Sequence, residues 1–143
     1  MKLSAKAEYA CLAMLELALR HHQPEPARLV DIAGPNGIPE RFLVQILLQL
    51  KGAGFVTSVR GASGGYRLAM EPHEISIWDV VQSVEGPTTA PVAEHETNAT
   101  AGWHVLHHVW QEANRLEQEH LRQIDFAQLA EQTRAQNSNM YYI

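Results

Sequence analysis

The feature that most restricts the fold is the order of patterns along the first half of the chain. Apolar residues at three- and four-residue steps predict a short helix over 28–33 and a longer helix over 39–52, with the glycine- and proline-containing turn 34–37 between them. Two runs of strand-forming residues, 55–59 and 66–69, follow and flank a glycine-rich turn. This order predicts a helix-turn-helix followed by a β-hairpin, which is a winged helix-turn-helix domain.

Helical periodicity also predicts elements on both sides of this region. A first helix covers 4–20, with Ser4 as its N-cap. A further helix ends at Val84 and begins after Ser76, whose spacing from Asp79 is an acidic variant of the capping box. The fold class expected from these elements is mainly α with a small β-hairpin.

A long amphipathic helix is predicted over 103–124, and Asp125 is placed to cap a short helix over 126–132. Because the chain offers nothing larger for the long helix to pack on, we expect it to pair with a second copy of itself. The apolar stripe assigned to this dimer contact consists of Trp103, Leu106, Trp110, Ala113, Leu116, Leu121 and Ile124.

The chain of 143 residues suits one compact domain, or a small domain with a dimerisation arm, and is too short for a large multidomain enzyme. We expect a winged helix-turn-helix domain at 1–87, a flexible effector-region loop at 88–102, a dimerisation region at 103–132 and a loose tail at 133–143. No apolar run is long enough to span a bilayer. A cytoplasmic protein without a membrane partner is therefore expected.

The formal net charge of -5 hides a division between the two halves. Residues 1–70 contain eight basic and five acidic side chains, a charge of +3, whereas residues 71–143 contain three basic and eleven acidic ones, a charge of -8. This asymmetry favours a basic binding region followed by an acidic remainder that faces away from a polyanionic partner.

Four motifs occur in an order typical of one protein family. They are MKLSAKAEYA at 1–10, IPERFLVQIL at 38–47, VRGASGGYRL at 59–68 and IWDVVQSVEG at 77–86. The chain resembles the Rrf family of bacterial winged-helix transcription regulators, strongly over the first 87 residues and in pattern only over 103–131. The resemblance implies a homodimeric transcription factor, expected to be a repressor, that binds double-stranded DNA at a roughly palindromic operator.

Helix 39–52 is then the recognition helix in the major groove. Its expected base-facing residues are Pro39, Glu40, Arg41, Val44 and Gln45, while its inward face is expected to consist of Phe42, Leu43, Ile46, Leu47 and Leu50. The guanidinium of Arg41 suits guanine, the amide of Gln45 suits adenine, and the carboxylate of Glu40 suits the amino group of cytosine.

The hairpin 55–69 is the predicted wing in the minor groove. Arg60 at its tip is placed to enter a narrow A·T-rich groove. Gly61, Gly64 and Gly65 would allow close approach of the backbone to DNA, although tight hairpins use glycine in any case. The candidates for phosphate contact are Ser4, Lys6, Lys51 and, through its hydroxyl, Tyr66.

The sequence departs from the family's cluster-binding members, which carry three closely spaced cysteines before the long helix. Here the one cysteine of the chain is Cys11, on the apolar stripe of the first helix, where a small core residue is expected. Since iron in such clusters is held mainly by thiolates, a conventional iron-sulphur cluster is not expected, and the alternative is a cluster held by Cys11, Glu8 and histidines from a second subunit.

Histidine-based metal binding remains an open alternative. His104 and His108 are four residues apart on the long helix and His104 and His107 are three apart, so either pair can converge on one zinc or iron ion, with Glu94 as a further ligand. Otherwise these histidines are solvent-exposed or part of the dimer contact, and a small molecule or a protein is the effector.

Two further classes of function are alternatives to DNA-binding regulation. A winged-helix adaptor would bind another protein through the acidic half and would not need Arg60. A histidine-based metalloenzyme is disfavoured, because the chain has no HExxH motif, no nucleophile and base pair, and no phosphate-binding loop. We therefore expect a protein that is not an enzyme.

Overall fold

The computed structural model describes residues 3–86 and 99–140. Its elements are α1 (Ala5–Leu19), α2 (Leu29–Asn36), α3 (Glu40–Gly52), β1 (Val56–Val59), β2 (Gly65–Leu68), a 3₁₀ turn (Pro72–Glu74), α4 (Ile77–Glu85), α5 (Ala101–Arg122) and α6 (Phe126–Met140). The predicted fold class is confirmed, since helices dominate these described residues and the two strands among them form one antiparallel hairpin.

Helix α1 lies at the centre of the fold and packs against α2, α3, α4 and α6. Alanines at its buried positions let these helices approach closely, and Met14 fills the space between them. From α3, the core receives Leu43, Ile46, Leu47 and Leu50, which are all essentially inaccessible to solvent. Burial at these three- and four-residue steps fixes the rotation of α3, so the opposite side of that helix must face solvent.

The hairpin is anchored to the helix-turn-helix by a short backbone bridge. Val56 pairs with Leu68 at its base and Val59 with Gly65 at its far end. Ala27, two residues before α2, joins as a third partner: it donates its N–H to the Tyr66 carbonyl at 3.0 Å and accepts from the Tyr66 N–H at 2.7 Å. This pairing holds the hairpin at a fixed position beside the helices.

The predicted helix caps are confirmed. The Ser4 hydroxyl accepts from the Ala7 N–H at 3.1 Å, and Ser76 and Asp79 form the reciprocal capping box that the sequence indicates. A carboxylate oxygen of Asp125 accepts from the Gln128 N–H at 2.9 Å and caps the start of α6. Such caps satisfy N–H groups that the helix itself leaves without partners.

Helix α2 is longer than the periodicity predicts. It continues through Gly34 and Pro35, which we expected to break it, as far as Asn36, and its C-cap is Gly37 in the left-handed conformation with φ of 61°. The side-chain amide of Asn36 donates to the Ile32 carbonyl at 2.8 Å and satisfies an acceptor in the last turn. The helix therefore ends just before the residue that adopts positive φ, as is common for a C-terminal glycine.

Helix α6 is also longer than predicted, because residues 133–140 are helical rather than a loose tail. Phe126 and Ala130 are buried in the core beside α1, and the Phe126 N–H donates to the Ile75 carbonyl at 3.1 Å. Packing on α1 supplies the stabilisation that a polar helix of this length lacks on its own. The chain thus returns after α5 to the domain that contains the helix-turn-helix.

Helix α5 begins at Ala101, so the last two residues of the expected loop belong to the helix. The Thr100 hydroxyl caps it by accepting from the Trp103 N–H at 3.1 Å. Most of that expected loop lies outside the described residues. Within the two described ranges, no helix combines the length and the apolar character needed to cross a membrane.

Candidate nucleic-acid interface

The outward face of α3 presents residues that suit base recognition. Pro39, Glu40, Arg41, Val44 and Gln45 are all exposed, as the sequence predicts. They occupy the first two turns of the helix or immediately precede it, where a recognition helix approaches base edges. Contact with DNA stays a prediction for each of them, but none is hidden by the fold.

One residue of this helix was assigned to the wrong side. Phe42, which we expected in the core, is 59% exposed, whereas its neighbour Leu43 is fully buried. The buried residues of α3 centre its inward face between Leu43 and Leu50, and Phe42 lies about 90° around the helix from that centre. Phe42 instead borders a cavity of about 270 Å³ between α1 and α3, together with Lys6, Tyr9 and Gln45.

The wing leaves Arg60 exposed at the end of β1, in the position expected for a tip residue. The backbone of the wing requires glycine at three positions. A Cβ at Gly64 would collide with the Val59 carbonyl, and a Cβ at Gly65 would collide with the Ala27 carbonyl. Gly61 has φ of 110°, a backbone conformation that residues with a side chain rarely adopt. The fold therefore requires these glycines whether or not DNA approaches them.

The candidates for phosphate contact have different surroundings. Lys6 is exposed near the start of α1. Lys51 is exposed in the last turn of α3, and its Nζ donates to the hydroxyl of Ser58 on β1 at 2.7 Å. Ser4, besides capping α1, donates its hydroxyl to Glu85 Oε1 at 2.6 Å, so its polar atoms already have partners.

Tyr66 and Arg67 are occupied in holding the wing in place. Tyr66 is half-buried against the core, and its backbone pairs with Ala27. The Arg67 guanidinium donates to the carbonyls of Gln23 and Pro24 in the loop before α2. The Tyr66 backbone and the Arg67 side chain thus connect the hairpin to that loop, and Arg60 supplies an exposed cation at the wing.

Sequence reasoning missed Leu48, which is 63% exposed on the outward face of α3. The spacing in the sequence could have indicated this exposure, because Leu48 lies three residues after Gln45 and four after Val44 and therefore on the same side of the helix. The other leucines of α3 are buried. The predicted inward face omitted Leu48, and no role in DNA contact was predicted for it either. Only the rotation of the helix separates it from Leu47, which is 1% exposed.

Helix α5 exposes a continuous apolar face. In the structure of residues 3–86 and 99–140, none of its residues is buried. Leu106, Trp110, Ala113 and Leu116 of the predicted dimer stripe are exposed, and Val105 and Val109, which the sequence reasoning omitted, extend it. The remaining stripe residues, Trp103, Leu121 and Ile124, are half-buried within their own chain.

Charged side chains occupy another side of α5. Arg115 forms ion pairs with Glu112 at 2.6 Å and Glu119 at 2.9 Å. The helix is therefore amphipathic, with its apolar side uncovered in the single chain. An exposed apolar face of this kind marks an interaction surface.

The proposed histidine ligands lie near the start of α5. The ring of His107 stacks on Trp103 with 4.5 Å between centroids, and His104 meets the same indole edge-on. Among the described residues, no three His, Cys, Asp or Glu side chains form a group that could hold a metal ion. Glu94, the further ligand that we predicted, lies outside the described residues.

Comparison with known proteins connects this architecture to a family. The model of the Rrf2 family, described as an iron-dependent transcriptional regulator, matches residues 3–132. The chain is 36% identical over 130 residues to the HTH-type transcriptional regulator IscR of Vibrio campbellii, covering 90% of this chain and 77% of that protein. It is also 44% identical over 87 residues to an rrf2-like regulator of Rhodobacter capsulatus, covering 59% and 58% of the two chains.

Solved structures agree with these relatives. IscR of T. potens superposes with a TM-score of 0.77 at 32% identity, covering 93% of this chain and 88% of that one. CymR of B. subtilis, a global cysteine regulator, superposes with a TM-score of 0.73 at 31% identity, covering 92% and 97%.

The family description raises the question of whether this chain's residues fit iron. Cys11 is the one cysteine in the sequence. Burial, with a smaller effect of the nearby Glu8 carboxylate, raises the pKa of its thiol from 9.0 to about 11. A thiol that stays protonated is a poor metal ligand. Since the described residues also contain no group of three potential ligands, they do not fit an iron site.

The raised thiol pKa predicts slow alkylation of Cys11. At pH 8 the fraction of thiolate should be about 100-fold lower in the native protein than in urea-unfolded protein, because the two pKa values differ by about two units. Mass spectrometry of iodoacetamide-treated samples at several times would measure both rates. Similar rates in the two states would show that the thiol is not held in the apolar environment described above.

Family membership rests on the agreement of independent features. The family match spans nearly all of the described residues, and the winged helix-turn-helix, the exposed outward face of α3 and the long C-terminal helices occur in one chain. This chain belongs to the Rrf2 family and is a DNA-binding winged-helix transcription regulator.

Proposed function

We propose that the chain acts as a homodimeric repressor that binds a roughly palindromic operator, with α3 in the major groove and the wing in the adjacent minor groove. The observation that carries this proposal is the coincidence of an exposed, cation-bearing α3 and wing with an uncovered apolar face on α5. The first provides a surface for a half-site, and the second provides a surface that can join two such units.

Charge supports the orientation on DNA. Lys6, Arg41, Lys51 and Arg60 are exposed on the N-terminal part of α1, on α3 and at the wing tip. In the same proposal Arg41 forms a bidentate contact with guanine and Arg60 enters the minor groove, while the lysines contact phosphates. Phosphate contacts release counterions, so affinity should fall steeply as the salt concentration rises.

A dimer formed through α5 would account for a palindromic operator. Two chains that pair through the same face of α5 are related by a two-fold axis, and this axis relates the two copies of α3 as well. Half-sites centred about one helical turn of DNA, or a multiple of it, apart match such a dimer. An effector, either a small molecule or a protein, would relieve repression if it bound preferentially to a dimer in which the two recognition helices no longer match this spacing.

The direct test begins with selection of duplexes from a random library, followed by affinity measurements by fluorescence anisotropy. Arg41→Ala and Arg60→Ala should each weaken binding to the selected duplex, Arg41→Ala by roughly 1–3 kcal/mol per half-site. Discrimination at the guanine should relax in Arg41→Ala, and discrimination among A·T-rich flanks should relax in Arg60→Ala.

Arg134→Ala serves as the matched control. Arg134 also carries one positive charge, but its guanidinium contacts the Leu19 carbonyl at 3.4 Å, at the opposite end of α1 from Lys6. These ends of α1 are about 20 Å apart. The control should retain wild-type affinity and specificity. If all three variants bind like the wild type, α3 and the wing are not the surfaces that contact DNA.

A further inference from the structure

The outward face of α3 is only partly polar. Arg41, Val44, Gln45 and Leu48 follow one another at steps of three, one and three residues, which places them along a single stripe on the helix. All four are exposed, with Val44 at 39% and Leu48 at 63%. Arg41 and Gln45 carry hydrogen-bonding groups, whereas Val44 and Leu48 present methyl groups alone.

The apolar members of this stripe do not contribute to the core. The core contribution of α3 comes from Leu43, Ile46, Leu47 and Leu50, on the opposite side of the helix. A leucine that is mostly exposed gives the isolated chain little burial energy. Leu48 therefore stands where a partner of α3 can cover it.

The neighbouring charges indicate what that partner is. Arg41 lies on the stripe, Lys51 is exposed one turn from Leu48, and Lys6 is exposed on α1 beside the cavity shared with Gln45. Within the sequence of α3, the one acidic residue is Glu40. A polyanion complements this surface, and the major groove of DNA presents one apolar group that such a surface can cover, the C5-methyl of thymine.

We propose that Val44 and Leu48 determine part of the operator sequence by packing on thymine methyl groups in the major groove. This inference rests on the proposed function, because it requires α3 to lie in that groove. The stripe from Arg41 to Leu48 extends for about 10 Å along the helix. Since successive base pairs rise by about 3.4 Å, the thymine contacted by Leu48 should lie within about three base pairs of the guanine contacted by Arg41.

The test compares thymine with deoxyuridine in the selected operator. Deoxyuridine pairs like thymine and lacks only the methyl group, so its effect isolates that contact. Each thymine of one half-site is replaced in turn, and dissociation constants are measured for the wild type, Leu48→Ala, Val44→Ala and the control Gln49→Ala. Alanine favours helix at these exposed positions, and circular dichroism checks that every variant is folded.

For the wild type, removal of the methyl group that contacts Leu48 should weaken binding by about three- to fivefold, as expected for one buried methyl group. Leu48→Ala should bind the thymine and deoxyuridine duplexes at that position within about 1.5-fold of each other, and Val44→Ala should lose discrimination at a different position. Gln49→Ala should discriminate as the wild type does.

Two failures can be told apart. A protein that selects no duplex above bulk DNA would overturn the proposed function and this inference with it. A protein that selects a duplex but binds every deoxyuridine version equally well would overturn the inference alone. The same holds if Leu48→Ala and Val44→Ala keep the full discrimination of the wild type.

Discussion

Replacement of Trp110 by aspartate is expected to convert the proposed dimer into monomers and to weaken operator binding by about 100-fold or more. Trp110 is 61% exposed in the single chain and lies within the apolar face of α5, between Leu106 and Ala113. Pairing of two such faces would bury the indole, whereas an aspartate there would have to lose its hydration without a partner. Each separated chain would then bind one half-site only. The additional affinity that a dimer gains by binding two half-sites at once would be lost.

Sedimentation equilibrium at micromolar concentration would give the association state, and anisotropy would give the operator affinity of the same samples. Gln111→Asp is the matched control, because it introduces the same side chain on the opposite side of α5 from Val109. This control should remain dimeric and bind with wild-type affinity. A Trp110→Asp protein that is still dimeric would mean that the dimer forms through another surface.

The second large effect concerns stability. Phe126→Ala is expected to lower the free energy of unfolding by about 3–5 kcal/mol, because the removed ring is fully buried and the space it leaves can close only in part. For a domain whose total stability is of the order of 5–15 kcal/mol, this is a large share. Urea denaturation followed by circular dichroism, at one fixed protein concentration, would measure the loss.

Phe42→Ala provides the comparison for the same deletion at an exposed position. Phe42 is 59% exposed on α3, so its removal should cost less than about 1 kcal/mol. Equal losses for the two variants would contradict the burial described for Phe126, and with it the packing of α6 against α1. Since Phe126 begins α6, the result also tests whether this C-terminal helix stabilises the DNA-binding region.

Much of the fold could be predicted because its signals are local. Hydrophobic steps of three and four residues, alternating strand residues and glycine-rich turns depend on near neighbours in the chain. The N-caps at Ser4, Ser76 and Asp125 were predictable for the same reason, since each hydroxyl or carboxylate bonds to an N–H three residues later. The family motifs then indicated how these elements are arranged.

The candidate site was predicted less completely. Arg41, Gln45 and Arg60 were recognised by their chemistry and their places in the helix and the wing, and all three are exposed. The inward side predicted for Phe42 was wrong, and Leu48 was given no role, because both lie in an apolar run that offers more large side chains than one helical face can bury. Which of them are left outside depends on how α3 is rotated against its neighbours.

The same distinction holds across the molecule. Periodicity and capping residues were sufficient to predict the individual helices and strands of the winged helix-turn-helix and the position of the long C-terminal helix, since these elements arise from contacts within a few residues. The exposure of Phe42 and Leu48 and the return of Phe126 to the core of α1 depend on contacts between distant parts of the chain. Those contacts depend on how well the packed surfaces fit one another in shape. This fit cannot be derived from local patterns in the sequence.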